Sequence, residues 1–148
     1  PATRAPEFSA LDQDGRTRTL SEFRGKAVVL YFYPRDATPG CTAEACAFRD
    51  AWDRLEAAGG QVIGVSTDDV ASHASFAAEH ELSFPLIADT EGEVAAAYGV
   101  SSTFGMLARV TFVIDQNGVI RRVFREVDPA VHAEEVIAVL ESLADVTL

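Results

Sequence analysis

The sequence predicts an α/β fold: a mixed central sheet flanked by helices on both faces, with an N-terminal β-hairpin. Val28–Tyr33 is a continuous apolar, β-rich run, the pattern of a strand buried on both faces, and Gln61–Ser66 reads as a second such strand. Segments with apolar residues at helical spacing lie between the strands, and βαβ crossovers of that kind require parallel pairing. Asn117-Gly118, between two further β-rich runs, is a strong hairpin signal that adds antiparallel strands.

Each element follows from local chemistry. Phe8–Leu20 contains Asp12-Gln13-Asp14-Gly15, a good turn between two short strands. Ser21–Gly25 fits one helical turn ending at Gly25, and Pro34 stops the Val28–Tyr33 strand. A helix is expected next, with Thr38 as N-cap, Pro39 at the first helical position and Gly59-Gly60 at its end. Cys41, Ala45, Phe48, Trp52 and Leu55 give this helix one apolar face. Val70–His80 is a second helix and Phe84–Ala88 a third strand, where Pro85 argues for an edge or irregular start. Glu91–Tyr98 is a short helix ended by Gly99. Arg109–Ile114 and Gly118–Phe124 form the hairpin, and Pro129–Leu143 closes the chain as an amphipathic helix. After the first hairpin the order is β-α-β-α-β-α-β-β-α, the arrangement of thioredoxin-like folds.

The 148 residues, 48% hydrophobic and 24% charged, suit a single domain over residues 1–148, because a chain of this size buries about 68–70% of its unfolded surface. No Gly/Ser/Pro-rich linker divides it. With 12 basic against 23 acidic residues the formal net charge is −11, which repels phosphate backbones and anionic headgroups and argues against nucleic acid and membrane partners. No apolar run approaches the ~20 residues of a membrane span. The opening from Pro1 to Pro6 lacks the apolar centre of a signal peptide, so the expected location is the cytoplasm, where thiols are mostly reduced.

The two cysteines, Cys41 and Cys46, are too close in sequence for a structural staple that would constrain the unfolded chain much. Their setting is chemical. Pro34-Arg35-Asp36-Ala37-Thr38-Pro39-Gly40-Cys41 carries a thiol from the end of a buried strand into the first turn of a helix. Unpaired backbone N–H groups and the positive end of the helix dipole favour a thiolate there. An isolated Cys on an apolar helix face is ordinarily a core residue. The cap, the two prolines and the second thiol shift the balance towards chemistry.

The motif Pro34-x-x-x-Thr38-x-x-Cys41 resembles the active-site motif of the peroxiredoxins, thiol-dependent peroxidases with a thioredoxin-like fold, and a second Cys five residues on resembles the peroxiredoxin Q, or bacterioferritin comigratory protein, subfamily. Phe8–Asp12, Val65–Asp68, Phe84–Leu86 and Arg109–Asp115 extend the resemblance over nearly the whole chain. It implies that Cys41 is the peroxidatic Cys, which attacks the O–O bond and becomes a sulfenic acid, and that Cys46 resolves it as a disulfide. Thr38 would hydrogen-bond to the thiolate or peroxide, Pro34 would shield the site from water, Arg109 would be the active-site Arg, and Glu44 would help orient it. The implied partners are hydrogen peroxide or small organic hydroperoxides and an external dithiol such as thioredoxin. No cofactor or metal is implied, and the subfamily favours a monomer.

Magnitudes divide the work. Making an unperturbed thiol mostly thiolate at neutral pH gains about 25-fold, or ~2 kcal/mol, less the nucleophilicity lost with basicity. The rest must come from donors that grip the stretching O–O bond, for which Thr38, the Cys41 backbone N–H and the permanently charged Arg109 are candidates. Each has a plainer role available: Thr38 as an N-cap, Arg109 as a strand-end ion pair, Glu44 as a favourable charge near a helix N-terminus, Pro34 as a strand terminator and Cys46 as a bystander thiol. Five residues along a regular helix place Cα atoms roughly 8.6 Å apart, beyond the ~7 Å a disulfide tolerates, so a Cys41–Cys46 bridge requires the first turns to unwind.

Other constellations are weaker. His73 and His80 stand ~10.5 Å apart along one helix, too far to share an ion, and Cys-x4-Cys half fills a tetrahedral site. Asp68-Asp69 and Glu134-Glu135 read as solvated helix starts and surfaces. No phosphate-binding Gly-rich loop or dinucleotide fingerprint is present. A dithiol oxidoreductase or redox sensor remains a rival, though its usual Cys-x-x-Cys is missing, and a non-catalytic thioredoxin-like binding or chaperone module is another.

Overall fold

The computed structural model describes residues 3–129 and 131–146. Pro1 and Ala2 of the opening segment, Ala130 of the expected last helix, and Thr147 and Leu148 lie outside the described residues.

The strands are β1 (Thr3–Arg4), β2 (Ser9–Leu11), β3 (Thr17–Thr19), β4 (Ala27–Phe32), β5 (Gly60–Ser66), β6 (Leu86–Ala88), β7 (Ser102–Thr103), β8 (Met106–Leu107), β9 (Val110–Ile114) and β10 (Val119–Phe124). The helices are α1 (Pro39–Asp50), α2 (Trp52–Ala57), α3 (Val70–His80), α4 (Glu93–Ala97) and α5 (His132–Val146), with a 3-10 turn over Leu20–Phe23. Six strands form one sheet in the order β1-β10-β9-β4-β5-β6. β4 pairs in parallel with β5, and β5 with β6, while β9 lies antiparallel to β4, so the sheet is mixed as expected.

Strand alternation assigns the two faces. Val29, Tyr31 and Tyr33 join Phe48 of α1, Leu55 of α2, Phe76 of α3 and Leu140 of α5 in one core cluster. Val28, Leu30 and Phe32 point the other way, into a cluster with Phe8, Leu20, Val94 and Tyr98. Every residue of β5 and β9 is buried, which is why those runs carry so little polarity. Gly64 of β5 has no room for a side chain, since a Cβ there would sit 2.9 Å from the Tyr31 ring and from Leu86.

The sheet ends on β1 at one side and on β6 at the other. β1, for which the sequence pattern carries no signal, pairs with β10 through Thr3↔Ile120 and Arg4↔Val119. At the other edge, Gln13 in the turn of the β2–β3 hairpin donates from Nε2 to Phe84 O at 2.9 Å and accepts from Leu86 N at 2.8 Å. One side-chain amide thus satisfies backbone groups that an open edge leaves bare.

Several expected boundaries move. The helix anticipated from Thr38 to Gly59 is two, because Ala51 adopts φ −91°, ψ 7° and interrupts it, with neither Gly nor Pro in the local sequence to signal the break. Phe84 and Pro85 precede β6 rather than belonging to it, and β6 is an edge strand as Pro85 indicates. The last helix begins at His132, not Pro129, since Asp128 O accepts from both Val131 N and His132 N in a preceding turn. The small β7–β8 ribbon has no counterpart in the sequence pattern. The Asn117-Gly118 turn is as expected, with Gly118 at φ +83°.

Candidate active site

The site forms where β4 ends, α1 begins and β9 starts. Thr38, at φ −83° and ψ 152°, is the N-cap residue of α1, and Pro39 occupies its first turn. Cys41, Glu44, Ala45 and Phe48 are the buried positions of this helix, spaced so that all four face the sheet. Cys41 is 1% exposed and Glu44 likewise 1%. Cys46 falls off that stripe and is half-buried; both cysteines are free thiols on the same intact helix.

Arg109 arrives from the opposite direction. Phe32 pairs with Val110 across the antiparallel β4–β9 ladder, so the start of β9 lies beside the end of β4. Residues 110, 112 and 114 face the far cluster, so 109 faces α1. Its Nη1 donates to Glu44 Oε1 at 2.5 Å and its Nη2 to Cys41 Sγ at 3.3 Å. Arg109 also stands 3.2 Å from where a Cβ on Gly40 would lie, so the glycine makes room for the guanidinium. The side chain of Arg109 is 20% exposed, so the polar edge of the site reaches solvent while the sulfur does not.

Burial dominates the electrostatics. It pushes the Glu44 carboxyl up to about 7, against the opposing pull of Arg109. Burial would lower Arg109, but Glu44 and the Cys41 sulfur outweigh it and hold its pKa above the usual range. The Tyr31 hydroxyl is pushed well up, by burial first and then by Glu44 and Cys41. Glu44 Oε2 and the Tyr31 hydroxyl are buried without a hydrogen-bond partner among the described residues.

Of the residues singled out from sequence, Cys41, Glu44 and Arg109 meet directly, and Pro34 and Thr38 flank them in the strand-to-helix connection. Thr38 departs from expectation. Its hydroxyl donates to Arg35 O at 3.0 Å and makes no side-chain cap bond. With its proton directed to that carbonyl, the hydroxyl offers lone pairs rather than a hydrogen to the site.

A second group of polar residues, which pattern reasoning passes over, lies behind the same connection. Asp36 Oδ1 accepts from the Tyr33 hydroxyl at 2.6 Å, and Oδ2 accepts from Ser72 Oγ at 2.8 Å and lies 2.7 Å from His73 Nδ1. Asp36 N donates to Asp68 Oδ2 at 2.8 Å. Burial alone would raise Asp36, but the hydrogen bonds from His73, Tyr33 and Ser72 hold it below its ordinary value. Asp69 is the N-cap of α3, accepting from Ser72 N, whereas Asp68 is turned inward and is not a solvated helix start. A buried Asp in the connection between a buried strand and a helix, and a His in the apolar stripe of α3, are the available signals.

Ligand atoms of Asp36, Asp68 and His73 lie within 4.8 Å of one another, the spacing a metal ion would need. Each residue already serves the hydrogen bonds just described, and His73 Nε2 is engaged 3.0 Å from Ile87 O. The group is a hydrogen-bonded network, and an ion would have to break it. Among the described residues no helix is long and apolar enough to cross a membrane.

Comparison with known proteins places this geometry. The AhpC/TSA family matches residues 1–123. Chloroplastic peroxiredoxin Q of Oryza sativa subsp. japonica is 46% identical over 142 residues, 94% of this chain, which spans only 65% of that relative's length. The putative peroxiredoxin bcp of Coxiella burnetii is 43% identical over 141 residues, covering 90% of this chain and 93% of the relative. Among solved structures, peroxidoxin BcpB of Mycobacterium tuberculosis superposes with a TM-score of 0.90 at 36% identity, covering 96% of each chain. A Xanthomonas campestris bacterioferritin comigratory protein, studied for alkyl peroxide reduction, gives 0.87 at 33% identity over 93% of this chain and 92% of its own.

Proposed function

The chain belongs to the AhpC/TSA family, among its peroxiredoxins of the Q or bacterioferritin comigratory type, and on that premise we propose that it is a thiol peroxidase working through Cys41. The observation that carries this reading is the Arg109 guanidinium, held by Glu44 and 3.3 Å from the sulfur in the first turn of α1.

In the first step the Cys41 thiolate attacks one peroxide oxygen. An S–O bond forms, the O–O bond breaks, sulfur is oxidised by two electrons, and the departing oxygen takes a proton to leave as water or an alcohol. Arg109 and the N–H groups at the start of α1 act on negative charge that grows on the separating oxygens. The lone pairs of Thr38 accept from the peroxide O–H, and Pro34 shields the sulfur. In the second step Cys46 attacks the sulfenic sulfur, an S–S bond forms and water departs. An external dithiol, thioredoxin or a similar protein, then reduces the bridge by exchange and is itself oxidised.

Hydrogen peroxide and small organic hydroperoxides are the proposed substrates; the alkyl peroxide activity studied in the Xanthomonas relative supports the latter. We propose a monomer, because both thiols stand on one helix and resolution needs no second subunit. We propose the cytoplasm as its site of action, since the cycle depends on a reducing supply of thiols.

Stoichiometric peroxide titration of the reduced protein, with mass spectrometry locating the oxidised sulfur, tests the reading. The expected result is one equivalent consumed and a Cys41–Cys46 bridge. Cys41→Ser abolishes consumption, and Cys46→Ser stops at a Cys41 sulfenic acid. Full peroxide consumption by Cys41→Ser would refute the assignment.

A further inference from the structure

We propose that Asp36 and His73 form a buried ion pair that positions the Pro34–Thr38 connection leading into Cys41, a role that rests on the peroxidase reading above. Two independent features point there. The first is backbone strain. Ala37 has φ +64°, a left-handed conformation that side chains other than Gly rarely hold unless their surroundings impose it. It stands between Asp36 and the N-cap Thr38, four residues before the reacting sulfur.

The second is the way its neighbour is fixed. Asp36 is bonded to four residues from three places in the fold. Tyr33 lies just beyond the end of β4, Ser72 and His73 belong to α3, and Asp68 lies in the β5–α3 connection. Ser66 of β5 donates in turn to Asp68 Oδ2 at 2.7 Å. His73 carries the pull further, since its Nε2 lies 3.0 Å from Ile87 O of β6. A connection clamped to this extent can keep one strained residue in place.

The charge state follows from donor and acceptor counting. A carbonyl oxygen only accepts, so His73 Nε2 bears a hydrogen. Burial opposes the charge on Asp36, but the hydrogen bonds it receives hold it below its ordinary value, so it is an ionised carboxylate that only accepts, and His73 Nδ1 at 2.7 Å also bears a hydrogen. Tyr33, whose hydroxyl is 3.5 Å from Nδ1, gives its proton to Asp36. The ring is therefore an imidazolium, completely buried and neutralised by Asp36. Removing either partner leaves the other charge buried alone, whereas removing both charges together does not.

Asp36 and His73 touch no reacting atom, so they are positioning residues, and the test must separate position from mere stability. Long-range 1H–15N spectra of the reduced wild-type protein at pH 7.5, with the His73 ring assigned by its loss in His73→Gln, should show two ring N–H groups. A single N–H would overturn the ion pair. Stopped-flow oxidation of Cys41 by hydrogen peroxide should slow at least tenfold in Asp36→Asn and in His73→Gln. In the double variant the amide placed at position 36 can donate to the one placed at position 73, and the latter to Ile87 O. Its rate should return to within threefold of wild type. Single variants within twofold of wild type, or a double variant slower than either, would overturn the positioning role. Were the wild type itself inert to peroxide, the peroxidase reading would fall, while amide exchange still tests the clamp. Exchange over residues 35–38 should accelerate at least tenfold in each single variant with β4 unchanged, and equal protection would refute it.

Discussion

Arg109 directs its two terminal nitrogens to different partners, Glu44 and the Cys41 sulfur, and a planar fork does this in a way a point charge cannot. Arg109→Lys keeps the charge but can satisfy only one partner well; peroxide oxidation of Cys41 is expected to slow roughly 10- to 100-fold, measured by stopped-flow fluorescence. Glu44 gives a pH prediction. Its carboxyl titrates near 4.5 unfolded and at about 7 folded, so between those values the folded chain keeps a proton the unfolded chain has released. Stability therefore falls as pH rises through that window, by up to about 3 kcal/mol, and levels off above it. In Glu44→Gln, denaturant titrations from pH 4.5 to 7.5 should lose this decline. Cys41 is readable because it stands in a known motif, and Glu44 and Arg109 because the resemblance extends to their positions. The turn of the Thr38 hydroxyl to Arg35 O is not, because a hydroxyl's partner depends on the fold of the connection around it. Asp36 and His73 are hidden for a related reason: they lie 37 residues apart, and Asp36 falls at an unspecified position of that motif while His73 lies outside it.

Helix α1 carries both thiols in a form that cannot bridge them, since its regular geometry keeps residues five apart too far separated. Oxidation must therefore unwind it near residues 39–47. Ala51 marks where that disturbance can end, because the chain already breaks there and α2 starts afresh. Hydrogen exchange is expected to accelerate over residues 39–47 on oxidation while α2 keeps its protection; uniform protection in both redox states would refute the coupling. Trp52, at the start of α2 and packed against the core, should report the change by fluorescence. Long elements with clear periodicity are predictable, α3 at its observed boundaries and the β9–β10 hairpin within a residue at each strand start. The break at Ala51 and the two-residue strands are not, since nothing in so short a stretch of sequence distinguishes them from loop.

Across the molecule, the sheet separates two apolar clusters, and the thiol sits on the side covered by α1, α2, α3 and α5. A bridge between Cys41 and Cys46 closes a loop so short that it restrains the unfolded chain by only about 2 kcal/mol. Forming it sacrifices the first turns of α1 and the buried contacts of Cys41, Glu44 and Ala45. The oxidised protein is therefore expected to melt no higher than the reduced one by calorimetry, opposite to the effect of a structural disulfide. Gln13→Ala, which strips two hydrogen bonds from the β6 edge, should cost about 1–3 kcal/mol in the same measurement. The alternation of strands and helices makes the layered architecture readable, but the covering of the β6 edge and the addition of β1 rest on contacts spanning 71 residues at Gln13 and across the Thr3↔Ile120 pair, which no local pattern announces. The register Phe32↔Val110 bears on any attempt to graft this chemistry elsewhere. A peptide copying α1 would transplant the sulfur and leave its cation behind; a host scaffold has to import two ribbons of backbone running in opposite senses, aligned to the residue, before the helix is worth adding.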